Sequence, residues 1–211
     1  TKVLPWPLIA HSQGIRATAL GGSEFTAQLS GNTGYISDPK TLLPRRNIQV
    51  VRPEFNFSED FNADNLAQEI GRHMELFDLE EADADIVLAF HWEGKPTFRR
   101  IKALADGISQ AMIKRIENDK PIYVILDADI ALNLGAVLKE EIGLPNELFV
   151  VDGLVLGDFD YVDLGRIQLP SHTVPVTIKS LVFRDTPGGA RGEERIQHRP
   201  YEEQAQRLPA S

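Results

Sequence analysis

Two short runs carry most of the side chains able to do chemistry. Asp127-Ala128-Asp129 follows an apolar stretch and precedes a helical pattern. Two carboxylates at such a strand-to-helix turn can bind a magnesium ion or a ribose hydroxyl. The simpler alternative, which we prefer, makes Asp129 the cap of the helix and Asp127 a turn residue. His91-Trp92-Glu93-Gly94-Lys95 follows another apolar stretch. A histidine, an acid and a lysine beside a glycine suit an active-site loop. Again the simpler reading is preferred, an exposed loop leading to a helix entry at Pro96. Gly21-Gly22-Ser23 lets backbone approach a phosphate, although one glycine pair is a weak signal.

Other signatures are missing. The chain has no G-x-G-x-x-G and no G-x-x-x-x-G-K-[ST] loop. It has no G-x-S-x-G nucleophile elbow. The five histidines, at 11, 73, 91, 172 and 198, show no metal-ligand spacing, and His73 reads as a surface residue of its helix. Gly153 and Gly157 read as turn residues. Gly135, inside a helical pattern, reads as a place of close packing against a sheet. No metal site is expected.

The elements that must hold these residues alternate. Strands are expected at 47–51, 85–91, 121–126 and 147–151, the middle ones as continuous apolar runs. Between them lie helical patterns. Ala63 to Phe77 carries Leu66, Ile70, Met74 and Phe77. A long helix near Pro96 carries Ile101, Leu104, Ile108, Met112 and Ile116. A third runs from Asp129 to Ile142, stopped by Gly143 and Pro145. This alternation predicts an α/β fold with a mostly parallel sheet flanked by helices. Residues 152–183 fit no helix and predict a small antiparallel β extension. The stretch 185–211 is too polar to order itself.

Bulk properties exclude several classes. With 211 residues and 42% apolar side chains, the chain can bury a real core. A net charge of −9 makes nucleic acid a poor partner. The absence of cysteine excludes disulfides, thiolate metal sites and a cysteine nucleophile. No apolar run approaches the roughly 20 residues needed to span a bilayer. The opening Thr1 to Pro7, broken by two prolines, does not read as a signal peptide. A cytoplasmic location without membrane contact is expected.

Arg16-Ala17-Thr18-Ala19-Leu20-Gly21-Gly22-Ser23, Gln28-Leu29-Ser30-Gly31 and Leu43-Pro44-Arg45-Arg46-Asn47 occur in that order. They precede Asp129, Leu134-Gly135, Gly157 to Gly165, and the closing Thr173 to Phe183. Together these resemble the later part of the ethanolamine ammonia-lyase reactivating factors, across about residues 15 to 183. The resemblance implies membership of an actin-like and Hsp70-like ATPase family. Such proteins use ATP and magnesium to release damaged cobalamin from ethanolamine ammonia-lyase, and often accompany bacterial microcompartments. It further implies that residues 1–37 are the remnant of the ATPase lobe, 38–184 a C-terminal α/β domain and 185–211 a polar tail. Gly21 and Gly22 then match only the edge of the nucleotide lobe. The family's phosphate-binding loops precede this segment, so no cofactor is expected on this chain alone. The expected role is to contact the lyase or to complete a reactivase with an ATPase lobe or subunit. Self-association is left open. The competing expectations are a small independent enzyme or ligand-binding domain using Asp127, Asp129 and His91, and a scaffold that docks through its tail.

Overall fold

The computed structural model describes residues 24–180 apart from 32, 59, 78 and 80–84. Gly21, Gly22 and the expected tail at 185–211 lie outside the described residues.

The elements run β1 (Glu24–Ser30), β2 (Tyr35–Ile36), α1 (Pro39–Leu42), β3 (Arg45–Val51), α2 (Ala63–Leu76), β4 (Ile86–Phe90), α3 (Phe98–Ala111), α4 (Ile113–Glu117), β5 (Ile122–Leu126), α5 (Ala131–Ala136) with a π-helical continuation (Val137–Glu141), β6 (Leu148–Asp152), β7 (Asp160–Leu164) and β8 (Thr173–Ser180). All eight strands form one sheet, in the order β1-β8-β7-β3-β4-β5-β6-β2.

Strands β3 to β6 are parallel, as the alternation with helices requires. The other four pairings are antiparallel. The sheet is therefore mixed, which corrects the mostly parallel expectation. The β extension is antiparallel as anticipated, but it continues the main sheet rather than standing apart. The difference arises because β7 adds to the outer edge of β3, and β8 and β1 follow it.

The connections force this sheet to curl. In a flat sheet, seven spacings of about 4.8 Å would set β1 and β2 roughly 34 Å apart. Only residues 31–34 join them, a reach of at most about 17 Å. Pairing fixes β1 and β2 in the same direction, so one kinked segment passes from the β8 edge to the β6 edge. The Gly31 amide donates to the His172 carbonyl (2.8 Å) at the kink. At Gly34 a Cβ would lie 2.7 Å from the Val150 carbonyl oxygen, so the close crossing needs glycine.

Side-chain alternation divides the parallel strands between two apolar layers. Ile86, Leu88, Phe90, Val124 and Val150 face α2, α3 and α5, with Leu66, Ile70, Ile101, Leu104, Ile108 and Leu134 against them. Val87, Ala89, Tyr123, Ile125 and Phe149 face the opposite way. There the cover is the curled antiparallel part, through Leu29, Val162, Val176 and Ile178. Both faces are buried, which is why β4 and β5 are apolar at every position. Gly135 lets α5 meet the edge strand, since a Cβ there would lie 2.1 Å from that of Tyr35.

Candidate functional site

The site grows out of strand register. Phe90 pairs with Leu126 at the carboxyl ends of parallel β4 and β5. The next residues, His91 and Asp127, therefore emerge side by side. The Asp127 amide donates to the Phe90 carbonyl (3.3 Å), which continues the ladder one step. His91 Nδ1 bonds Asp127 Oδ2, while Asp127 Oδ1 accepts from the Trp92 amide at 2.9 Å. Asp127 is buried, with 5% of its side chain exposed, whereas His91 is 52% exposed. His91 Nε2 stands 3.2 Å from Glu93 Oε1. The hydrogen bond to Asp127 raises the imidazole pKa against the opposing effect of burial, and Glu93 adds to the rise. A buried acid thus orients an imidazole whose far nitrogen faces outward beside a second carboxylate. Such an arrangement can hold a proton, or accept from or donate to a bound group.

The loop carrying His91 is held from below. Buried Arg100 of α3 donates to the carbonyls of Lys95 (2.5 Å), Glu93 (2.7 Å) and Phe57 (2.7 Å). Its guanidinium lies 4.5 Å from the Trp92 ring centroid, a cation–π contact. The Trp92 indole donates to the Gly94 carbonyl (3.2 Å), and Gly94 takes φ +82°. The expected exposed loop is therefore a braced one.

Asp129 is not part of the pair. Its charge acts on Asp152, the last residue of β6, which pairs with Leu126. Asp152 Oδ2 accepts from the Ala131 amide (3.2 Å) at the start of α5, and Oδ1 accepts from Thr33 Oγ1 (3.3 Å). Asp152, not Asp129, is thus the carboxylate at the helix start. Burial raises the Asp152 pKa, the Ala131 amide opposes this, and the Asp129 charge adds to it. Asp152 was readable in principle, because it ends a strand beside β5. Among the described residues, no three His, Asp or Glu side chains gather closely enough to hold a metal ion.

A second histidine corrects the surface reading of His73. It is buried, 7% exposed, and its Nε2 lies 2.9 Å from Asp158 Oδ1, which also accepts from the Arg52 amide (3.0 Å). The turn before β7 covers that side of α2, so the residue looks polar in sequence yet sits inside.

Comparison with known proteins decides the family. The family described as Ethanolamine utilisation protein EutA matches residues 2–184. The chain belongs to the EutA family. Among curated relatives, the "Ethanolamine ammonia-lyase reactivase EutA" of Salmonella typhimurium is 30% identical over 173 residues. The Escherichia coli protein of the same name is 27% identical over 173 residues. Each alignment covers 82% of this chain and 34% of the relative, so the chain spans about a third of the length of these EutA proteins. No solved structure matches. Among the described residues, no helix is long and apolar enough to cross a membrane.

Proposed function

We propose that this chain takes part in reactivating cobalamin-dependent ethanolamine ammonia-lyase, as the portion of a EutA-type reactivase that contacts the lyase. The observation that carries this reading is the family match across residues 2–184. The relatives named as reactivases support it over 82% of the chain. In this reading the rest of an actin-like ATPase holds ATP and magnesium, and the assembly lets damaged cobalamin leave the lyase. It works in the cytoplasm, with ethanolamine-utilisation microcompartments where a cell has them.

The carboxyl edge of the sheet does not fit magnesium–ATP. Both oxygens of Asp127 are engaged, by His91 and by the Trp92 amide. The Asp129 charge acts on Asp152. We therefore derive no hydrolytic step on these residues.

A competition assay tests the proposal. Excess of the 211-residue chain is added while a full-length EutA reactivates cobalamin-inhibited lyase with ATP. The expected result is a dose-dependent slowing of reactivation, because the chain occupies the lyase without driving release. Unchanged reactivation at saturating chain contradicts the proposal.

The exposed imidazole of His91 on buried Asp127 favours a second reading, a ligand site at the carboxyl ends of β4 and β5. It requires a ligand that raises the melting temperature of the wild type and not of His91→Ala.

A further inference from the structure

We propose that the cleft between α3 and the α5–π segment is the groove in which an amphipathic, basic segment of the lyase docks, an inference that rests on the reactivase reading above. The cleft has a volume of about 390 Å³. Buried Ile101 and Val137 line it, and Phe98 stands on its wall with 60% of its surface exposed. An exposed aromatic ring beside a cleft with buried apolar lining can anchor a partner's apolar side chain.

The lip of the cleft supplies the second observation. The segment Val137–Glu141 is π-helical, with the Ile142 amide reaching back to the Val137 carbonyl (2.9 Å). Consecutive carboxylates, Glu140 and Glu141, both line the cleft. Both are exposed. The basic side chains of the two flanking helices are occupied elsewhere. Arg99 bonds Asp60, and Arg100 is spent on backbone carbonyls. Lys102 pairs with Asp106 at 3.0 Å, and Lys139 donates to the carbonyls of Pro145 and Asn146, each at 3.0 Å. Among the described residues, no basic side chain lines the cleft to offset Glu140 and Glu141. The complementary occupant presents an apolar residue to Phe98 with Lys or Arg beside it. Helix-in-groove recognition combines these features.

The test uses the full 211-residue chain and purified ethanolamine ammonia-lyase carrying cobalamin, with binding measured at equilibrium. Phe98→Asp is expected to weaken binding at least tenfold. The double change Glu140→Lys and Glu141→Lys is expected to do the same, and raising salt from 50 to 300 mM weakens the wild type. Leu169→Asp, at an apolar residue exposed far along the chain, leaves binding unchanged. The double change Glu140→Gln and Glu141→Gln involves only exposed positions, so it keeps the test valid where Phe98→Asp disturbs folding. Groove variants that bind like the wild type overturn the proposal and leave the reactivase reading standing. So does a wild-type dimer in sedimentation that the groove changes dissolve, since the occupant is then a second copy. A wild type that fails to bind the lyase removes the reactivase reading itself.

Discussion

Two histidine–aspartate pairs are built in opposite senses. In His91–Asp127 the acid is sunk, at 5% side-chain exposure, and the imidazole is 52% exposed. In His73–Asp158 the imidazole is 9% exposed and the acid 26%. A buried acid below an open imidazole leaves the far ring nitrogen at the surface, beside Glu93. A buried imidazole beneath a partly open acid ties α2 to the turn before β7. Burial therefore separates a candidate site from a structural staple, where residue types alone do not.

The largest effect expected from breaking this contrast is at Asp127. Asp127→Ala removes the partner of His91 and the acceptor of the Trp92 amide within a buried region. It should cost about 2–3 kcal/mol, and thermal melting should fall by roughly 5–10 °C. Next comes His73→Ala, which loses a buried ring and its bond to Asp158, for about 1–2 kcal/mol in urea unfolding. His91→Ala removes an exposed ring but leaves one oxygen of buried Asp127 without its partner, so it should cost about 1 kcal/mol. A fall as large as that of Asp127→Ala would erase the distinction between the two pairs.

Titration sharpens the same comparison. His91 should titrate above the ordinary histidine range by NMR, and Asp127→Asn should bring it back down. Its folded pKa is raised, so its contribution to stability is complete below the unfolded value near 6.5 and is lost as pH rises through the folded value. The smallest effect concerns Asp152. Burial raises this acid, so its ionised form is disfavoured in the fold and stability falls as pH rises through its folded pKa. Asp152→Asn keeps an oxygen for the Ala131 amide and should be neutral or slightly stabilising at pH 7, within about 0.5 kcal/mol. A clear destabilisation would show that the charge itself is needed at the start of α5.

The parallel half of the sheet was legible because strands buried on both faces must be apolar throughout, as Ile86–Phe90 and Ile122–Leu126 are. The curl was not. It depends on β1 pairing with β8 across nearly the whole chain, as in Glu24 with Lys179, and no local pattern in β1 names that distant partner. His91 and Asp127 were each visible as the residue after an apolar run. Their pairing required the register of β4 against β5. Arg100 escaped notice because a basic residue near a helix start reads as solvated, and only the carbonyls of Phe57, Glu93 and Lys95 show its role. Asp152 was hidden by the nearer Asp129, which seemed to cap the same helix.

The central claim is that this chain acts by gripping the lyase. Its most direct test is equilibrium binding of the purified 211-residue chain to cobalamin-loaded ethanolamine ammonia-lyase with no nucleotide present. A saturable complex is expected. Absence of any complex at saturating lyase would contradict the account.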